Sequence, residues 1–387
     1  MNSLFSTGAP CARCRNIREE KSGSRLLRHD ATPERGRTPH RRWATTIRSN
    51  AAPPPPKKKS IRLSQSTMVL RVGTDCSGIE APIQALKNLG IPFKHSFSSE
   101  VDASCIDTIE ANAPPHVLYD GDIRERDNTR TPKVDLYICG FPCQPFSNAG
   151  SKGGLEDTRG TVFFGCLDYI RRRRPKVFVL ENVKGLLTNN NGQTWKAIMQ
   201  AFESLPDYSV SWEVLDTKDF GIPQSRRRLY IVGNRGMKPF EFPEKQWHCP
   251  SQEDFVDRTD QCEPEPRGTF LQRARDMQST LEQRGACFVD ILQYRSQARI
   301  PMRGFRYSTC LLCTSYVWNT SMERWANEKE LLRLQGYPDD FKIVVPEHKF
   351  RRQIGNTMSV NVLEAIFARL FDVEGRLPSE RRPYTQK

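Results

Sequence analysis

Val134-Asp-Leu-Tyr-Ile-Cys139 is followed directly by Gly140-Phe-Pro-Cys-Gln-Pro-Phe-Ser147. The first six residues are mostly apolar and predict a buried strand, and the Gly and Pro residues after them predict a tight turn. Cys143 is therefore expected at the carboxyl end of a strand, which is the edge of an open α/β sheet where ligands bind. A thiol held there by rigid turn residues is a candidate nucleophile.

The sequence around this stretch alternates between strand and helix patterns from Met68 to Gly233. The strands are predicted at 69–72, 94–99, 117–119, 134–139, 177–180, 208–215 and 229–233, and the helices at 81–89, 103–111, 161–173 and 194–205. Strands separated by helices indicate parallel βαβ units. The predicted fold class is therefore α/β, with a doubly wound, Rossmann-like, mostly parallel sheet.

Composition divides the chain into five segments. They are a disordered basic N-terminal tail at 1–67, a main domain at 68–235, a smaller lobe at 236–326, a segment at 327–375 that returns to the main domain, and a tail at 376–387. The lobe is rich in Pro, Gln and Arg and shows no clear period, whereas helical patterns return at 328–334 and 360–370. A lobe inserted in this way creates a cleft against the main domain.

The net charge of +14 is concentrated in the tail. Residues 1–67 contain 15 Lys and Arg against four Asp and Glu, so the remaining chain carries only +3 and supports nucleic-acid binding weakly. Lys57–Lys59 and the nearby arginines indicate either a nuclear address, which predicts a location in the nucleus, or a non-specific phosphate clamp. The alternatives are a plastid or mitochondrion if the tail is a transit peptide, and the cytoplasm if the source is prokaryotic or viral.

The chain contains 12 irregularly spaced cysteines and no apolar run approaching the roughly 18 residues of a membrane span. This cysteine pattern is typical of a reducing compartment and not of a small disulfide scaffold. Two C-x-x-C pairs occur, Cys11 with Cys14 and Cys310 with Cys313, but they lie almost 300 residues apart. We favour unrelated free thiols over a shared zinc site, and we expect neither a metal nor a membrane partner.

Acidic residues follow three of the predicted strands. Glu100 comes after the second strand, Asp122 after the third and Glu181 after the fifth, so all three are expected at the same edge as Cys143. A carboxylate at a strand end accepts hydrogen bonds from ribose hydroxyls, which favours a cofactor that contains a nucleoside. The first turn, at Ser77-Gly78, is not G-x-G-x-x-G and so does not indicate a dinucleotide.

Four motifs occur in one order along the chain. They are Gly140 to Ser147, Glu181-Asn-Val183, Gly221-Ile-Pro-Gln-Ser-Arg-Arg-Arg228 and Gly355-Asn-Thr-Met-Ser-Val-Asn361. Through these motifs the chain resembles the cytosine-5 DNA methyltransferase family, over 68–234 and about 328–370. The resemblance implies S-adenosylmethionine as methyl donor and a flipped cytosine in double-stranded DNA as substrate. We expect a monomer with a catalytic domain at 68–235 and a target-recognition lobe at 236–326.

The resemblance assigns four catalytic residues. Cys143 is the nucleophile, whose thiolate adds covalently to carbon 6 of cytosine and converts the ring into an enamine. Glu181 binds the cytosine edge and assists protonation at ring nitrogen 3, which is general-acid assistance. Arg228 contacts the cytosine carbonyl oxygen, and Arg226 is its partner near the active site.

The resemblance also assigns the cofactor pocket. Glu100 binds the ribose hydroxyls and Asp122 the adenine amino group. The full set is Ser77, Gly78, Ile79, Glu100, Asp122, Ile123, Pro142, Asn356 and Met358. The first motif departs from the family pattern, because Cys76 stands where an aromatic side chain commonly stacks on adenine, and Glu80 and Ala81 replace two glycines.

Residues 147–160 form a Gly- and Ser-containing loop that, in the family, closes over DNA. Three other functions stay open. The first is a transfer-RNA cytosine-5 methyltransferase on the same scaffold. The second is a non-catalytic nucleic-acid-binding homologue, suggested by the altered first motif. The third is a metal or redox protein that uses the C-x-x-C pairs.

Overall fold

The structure is a computed structural model that describes residues 69–142, 162–236, 238–245, 248–261, 267–294, 300–302 and 304–373. All of these residues belong to one compact unit, Lys58–Lys387. The predicted tails at 1–67 and 376–387, the predicted nucleophile Cys143 and the predicted loop at 147–160 lie outside the described residues.

The larger sheet contains seven strands. In chain order they are β1 (Leu70–Asp75), β2 (Phe93–Ser99), β3 (Val117–Tyr119), β4 (Leu136–Cys139), β5 (Val177–Val183), β6 (Tyr208–Asp216) and β7 (Arg227–Arg235). The spatial order is β3-β2-β1-β4-β5-β7-β6. The first five strands are parallel, and β7 is antiparallel to both β5 and β6. The predicted mostly parallel sheet is confirmed.

Eight α-helices are described. They are α1 (Ala81–Asn88), α2 (Ala103–Asn112), α3 (Val162–Arg173), α4 (Gln193–Phe202), α5 (Thr269–Gln283), α6 (Glu328–Gln335), α7 (Glu347–Asn356) and α8 (Val360–Phe371). The strand–helix patterns predict α1 to α4 within a few residues at either end. They do not predict α5 or α7.

Alternate residues of the central strands enter two separate cores, one on each face of the sheet. On β4, Leu136 and Ile138 face the core that includes α1 and α8, whereas Tyr137 and Cys139 face the core that includes α3 and α4. All four side chains are fully buried. A strand covered on both faces is apolar at every position, which explains the continuous apolar run before Cys143.

The strand order reverses between β1 and β4, which are neighbours although two other strands separate them in sequence. Asp75, the last residue of β1, pairs with Cys139, the last residue of β4. The crevice beyond such a reversal is where open α/β sheets bind their ligands. The turn at 74–81 and the segment from Gly140 onward therefore meet at the ligand-binding edge.

The segment predicted as a lobe, residues 236–326, contains a second, three-stranded antiparallel sheet. Its strands are β8 (Phe288–Asp290), β9 (Val317–Asn319) and β10 (Arg324–Trp325), in the order β10-β9-β8. The helix α5 and this sheet enclose a core of their own, which includes Met277, Trp318 and Trp325. The lobe then leads into α6, whose Asn327 and Glu330 form a capping box.

Candidate active site

A buried carboxyl–guanidinium pair lies at the ligand-binding edge. Glu181 lies on β5. Arg228 lies near the start of the neighbouring strand β7, where it pairs with Val183 of β5. Arg228 Nε is 3.2 Å from Glu181 Oε1, and the two side chains are only 13% and 11% exposed. Burial raises the pKa of Glu181, although Arg228 and then Arg226 act to lower it. A carboxyl of this kind holds a proton closer to neutral pH and suits general-acid chemistry.

Arg226 is placed differently from Arg228. Its guanidinium donates hydrogen bonds to the backbone carbonyls of Leu311 at 2.7 Å, Gly355 at 3.1 Å and Thr357 at 2.6 Å. The residue is 2% exposed, and burial lowers the pKa of its guanidinium. Arg226 therefore connects the start of β7 to Leu311, within the predicted lobe, and to the end of α7. This geometry gives it a bracing function beside the site.

Cys310 also lies beside these arginines, which spacing along the sequence does not predict. Its Sγ lies 3.6 Å from Arg226 Nη1 and 3.9 Å from Arg228 Nη2. The C-x-x-C spacing drew attention to this residue for a different reason, metal binding. Within the described ranges, no group of three or more His, Cys, Asp and Glu side chains is placed to hold a metal ion.

Asn182 connects Glu181 to the segment that leads to Cys143. Its Nδ2 donates to the Phe141 carbonyl oxygen at 3.1 Å, and its Oδ1 accepts from Val183 N at 2.9 Å. Asn182 is 1% exposed. This bond fixes the backbone at Phe141, two residues before Cys143 in the sequence.

Glu100 braces the first turn. Its Oε2 accepts from Gly78 N at 2.9 Å, and its Oε1 accepts from Val101 N and Asp102 N at 2.9 and 3.0 Å. Burial raises the pKa of Glu100, and these backbone N–H groups partly oppose the rise. Each carboxylate oxygen has two lone pairs, so the carboxylate retains acceptor capacity for hydroxyl donors.

Asp122 and Ile123 follow β3 on the same edge. Asp122 accepts hydrogen bonds from the backbone and side chain of Arg124, and that side chain is the main cause that lowers the pKa of Asp122. Ile123 is buried and contacts α3 at Gly165, where a Cβ would lie 3.3 Å from Ile123 Cγ1.

The remaining predicted pocket residues differ in how they reach the edge. Ser77 Oγ is 2.8 Å from Ser98 Oγ, and Ile79 is 1% exposed within the core. Asn356 is exposed at the end of α7, and Pro142 is half-buried. Because the Ile79 side chain is enclosed, only its backbone is available to a ligand.

Met358 reaches the catalytic side of the edge. A Cβ built on Gly140 would lie 2.7 Å from Met358 Cε and 4.0 Å from Glu181 Oε2. The C-terminal segment, the end of β4 and Glu181 therefore converge on one place. A side chain at position 140 would therefore have to displace the methyl group at the end of the Met358 side chain.

The altered first motif keeps the backbone shape that glycine would give. Glu80 has φ +61°, in the left-handed region, and its carboxylate is buried. Glu80 Oε1 accepts from Thr74 Oγ1 at 2.7 Å and from Ser98 Oγ at 2.6 Å. These bonds stabilise a conformation that costs a non-glycine residue about 1 kcal/mol or more.

The backbone at Gly78 is open to its surroundings. Gly78 has φ +58°, and a Cβ built on it would meet nothing within 4 Å. The open space lies beside the Glu100 carboxylate, which binds the Gly78 amide. The residues present therefore fit S-adenosylmethionine, the cofactor that the resemblance implies.

The sequence model of C-5 cytosine-specific DNA methylases matches residues 75–372, more than three quarters of the chain. This chain belongs to that family. It is therefore a methyltransferase enzyme, as the sequence motifs predict. This methylase is 36% identical over 278 residues to the Type II methyltransferase M.NgoBI of Neisseria gonorrhoeae, covering 70% of this chain and 83% of that protein. M.HaeII of Haemophilus aegyptius is also 36% identical over 278 residues, covering 70% and 84%.

Solved structures share the fold of the methylase. The Spodoptera frugiperda DNMT2 structure matches with a TM-score of 0.59 at 17% identity, covering 78% of this chain and 99% of that one. The S. pombe Dnmt2 methyltransferase matches with a TM-score of 0.55 at 16% identity, covering 78% and 98%. At such identities the likeness concerns the fold alone.

The comparisons give no support to the predicted nuclear location, because the two Type II relatives above are bacterial proteins. Lys57–Lys59, on which that prediction depends, lie outside the described residues. Across the described part of the chain, none of the helices has the length and hydropathy that a transmembrane span requires.

Proposed function

We propose that this methylase transfers a methyl group from S-adenosylmethionine to carbon 5 of cytosine in double-stranded DNA. The observation that best supports this is the buried Glu181–Arg228 pair, with Oε1 and Nε 3.2 Å apart. A protonated carboxyl donates to a ring nitrogen, and a guanidinium donates to a carbonyl oxygen. The pair therefore complements ring nitrogen 3 and the adjacent carbonyl oxygen of cytosine.

The donor side of the proposed pocket lies between the Gly78 turn and Met358. Glu100 is positioned to accept from ribose hydroxyls, and Asp122 from the adenine amino group. When bound, S-adenosylmethionine supplies an electrophilic methyl group. Three backbone N–H donors fix the Glu100 carboxylate, so this side of the proposed pocket is preorganised.

Cys143 is the proposed nucleophile. As a thiolate it adds to carbon 6 of cytosine and forms an S–C bond, while Glu181 donates a proton to ring nitrogen 3. Carbon 5 of the resulting enamine is electron-rich and would take the methyl group that S-adenosylmethionine supplies when bound. Loss of the carbon-5 proton to a base, return of the ring-nitrogen-3 proton to Glu181 and elimination of the thiolate would then restore the aromatic ring. The raised pKa of Glu181 favours its protonated form for the first step.

The base must leave the helix to reach this buried pair, so base flipping is part of the proposal. We assign target recognition to the lobe at 236–326, with 68–235 as catalytic domain and 327–375 returning to it. The separate core of the lobe and its attachment beside Arg226 support a semi-independent module next to the site. The loop at 147–160 is proposed to close over the DNA.

The first experiment measures transfer of a labelled methyl group to duplex DNA and to transfer RNA. Label is expected in DNA with the unaltered enzyme and in neither substrate with Cys143→Ser. Circular dichroism of the variant serves as the folding control. Label in transfer RNA alone would replace the DNA assignment by the RNA alternative, and turnover by the serine variant would remove Cys143 from the mechanism.

Duplex DNA that contains 5-fluorocytosine tests the covalent step. Fluorine cannot leave as a proton, so the enzyme is expected to remain attached to the DNA on a denaturing gel. An active enzyme that forms no such adduct would contradict thiolate addition. Calorimetry with S-adenosylmethionine tests the non-catalytic alternative, which predicts no binding.

A further inference from the structure

A buried ion pair beneath the donor pocket is assigned no function by the family motifs. Asp75, at the end of β1, is fully buried. Its carboxylate accepts from Arg126 Nη1 at 2.6 Å and Arg126 Nη2 at 2.7 Å, and from Tyr137 Oη at 2.6 Å. A carboxylate with a bidentate guanidinium and a third donor has a single favoured geometry.

Aromatic rings enclose the other side of the Arg126 guanidinium. Its Cζ lies 5.3 Å from the ring centroid of Phe97, 5.2 Å from that of Tyr119 and 5.7 Å from that of Tyr169. The Arg126 side chain is only 7% exposed. A planar cation suits such a box, whereas the point charge of lysine cannot make the same bidentate contact.

Arg126 belongs to the segment between β3 and β4, residues 120–131, which also carries Asp122 and Ile123. Its Nε donates to Asn128 Oδ1 at 3.0 Å, and Asn128 Nδ2 donates to Asp168 Oδ2 on α3 at 3.0 Å. The Glu125 amide donates to the Asp122 carbonyl at 3.0 Å, which closes the turn between Asp122 and Arg126. The segment is thus attached both to the sheet and to α3.

Asp75 belongs to the opposite wall, the turn at 74–81 that contains Gly78. The Asp75–Arg126 pair therefore joins the two walls of the pocket. One wall is the turn at 74–81, whose Gly78 binds Glu100, and the other is the segment that carries Asp122. The Asp122 carboxylate accepts from the backbone and side chain of Arg124, and that side chain is 38% exposed. Among these contacts, the buried pair is the one that sets the spacing of the two walls.

We propose that Arg126 is a positioning residue for the methyl-donor pocket, fixing Asp122 relative to the Gly78 turn through its bidentate contact with Asp75. This inference rests on the proposed function, because it concerns the pocket assigned to S-adenosylmethionine. Arg126 does not touch the donor. It determines how much the pocket must reorganise when the donor binds, and reorganisation lowers affinity.

The test compares Arg126→Lys with Arg324→Lys in the full-length chain. Arg324 is a matched control, because it also forms a buried pair, Nη1 to Glu330 Oε2 at 2.9 Å, with side chains 4% and 0% exposed. Arg324 lies on β10 in the lobe. Both variants lose a buried bidentate contact, but only Arg126 joins the two walls of the donor pocket.

Calorimetry gives the Kd for S-adenosylmethionine and for its demethylated product, and steady-state rates separate KM from kcat. We expect Arg126→Lys to weaken both ligands about tenfold or more and to raise KM for the donor, with kcat at saturation within about threefold. Arg324→Lys is expected to lower Tm while leaving the donor Kd within about twofold. An unchanged Kd in a folded Arg126→Lys, or an equal loss in Arg324→Lys, would overturn the inference.

Tyr137→Phe provides a second variant if Arg126→Lys does not fold, since it removes one hydrogen bond to Asp75 and keeps the ring. In this variant, amide hydrogen exchange is expected to become faster in residues 120–131 but not in β8 or β9. Bound S-adenosylmethionine is expected to restore protection. Unchanged exchange together with an unchanged Kd would contradict the proposal. A wild-type enzyme that binds no S-adenosylmethionine would instead refute the proposed function itself.

Discussion

At the scale of single residues, the site depends on carboxyl groups whose environments differ. Burial raises the pKa of Glu181 and of Glu100, whereas the Arg124 side chain lowers the pKa of Asp122. Glu181 suits proton donation, and Asp122 stays ionised as an acceptor. A carboxyl group thus serves two purposes, because the Glu181 carboxyl is enclosed and the Asp122 carboxyl lies near the surface.

The Glu181 proton gives a prediction about pH. A general acid must be protonated, so kcat is expected to fall as pH rises through the raised pKa of Glu181. Arg228→Met removes the first cause that lowers this pKa, so the alkaline limb is expected to move to higher pH while activity falls. Glu181→Gln is expected to abolish that limb and reduce kcat about 100-fold or more.

Profiles of kcat against pH for the three enzymes check this prediction. An alkaline limb that persists in Glu181→Gln would assign the limb to another group.

The raised pKa of Glu181 also makes the free energy of unfolding depend on pH. Because the folded pKa of Glu181 is raised, the folded state binds more protons than the unfolded state between the ordinary and the raised pKa. The free energy of unfolding therefore falls as pH rises through that window, and Glu181→Gln is expected to remove this part of the fall.

At the scale of elements, the β6–β7 hairpin is the support from which the site is built. β7 lies between β5 and β6 and pairs with both; Arg226 directly precedes it, and Arg227 and Arg228 are its first two residues. These three consecutive residues have three different environments. Arg226 is buried among backbone carbonyls, Arg227 is exposed, and Arg228 faces Glu181.

This contrast gives a stability prediction. Arg226→Lys cannot reach the carbonyls of Leu311, Gly355 and Thr357 together, so buried acceptors lose their donors. We expect the free energy of unfolding to fall by about 3 kcal/mol, given about 1–3 kcal/mol for each unsatisfied buried group. Urea unfolding measures the change.

Arg227→Lys is the matched control for Arg226→Lys. The Arg227 side chain is 58% exposed and lies 3.3 Å from Asp216 Oδ2. Asp216 is buried, but it also pairs with Lys218 Nζ at 3.0 Å, and lysine at position 227 keeps the positive charge. The change is therefore expected to stay within about 1 kcal/mol. Equal destabilisation by the two substitutions would show that the bracing geometry of Arg226 is not what stabilises the hairpin.

At the scale of the whole molecule, the turn before β7 contacts residues of the proposed lobe at 236–326. Gln224 is fully buried; its Nε2 donates to the Leu334 carbonyl at 2.7 Å, and its Oε1 accepts from Leu311 N at 3.0 Å. Ser308, in the lobe, donates its N–H to the Pro223 carbonyl at 2.7 Å. One side chain therefore holds the lobe and α6 against the turn.

Gln224→Ala is expected to loosen the lobe without altering the donor pocket. We expect duplex DNA to bind about tenfold more weakly, with the S-adenosylmethionine Kd within about twofold, because the lost bonds lie on the lobe side. Fluorescence anisotropy and calorimetry measure the two affinities. Gln200→Ala, on the exposed face of α4, serves as control. Equal loss of donor affinity in Gln224→Ala would contradict the separation of the two functions.

The elements that the sequence predicts poorly share a physical cause. In α5 only Ala274, Met277 and Leu281 are buried, so a narrow apolar stripe is hidden among polar residues. In α7 the apolar side chains are Phe350 and Ile354, one turn apart. Both helices depend on packing against the rest of the molecule, which periodicity does not reveal.

The sequence by itself determined the central sheet, the order of its elements, the family and the acids at the strand ends, because apolar runs and turn residues act locally. Only the tertiary structure decided that Arg226 braces while Arg228 faces Glu181, and that Arg126 reaches Asp75 across 51 positions. Both decisions depend on which backbone and side-chain groups meet across the sheet edge. These long-range contacts cannot be inferred from spacing along the chain, since they follow from how the elements pack.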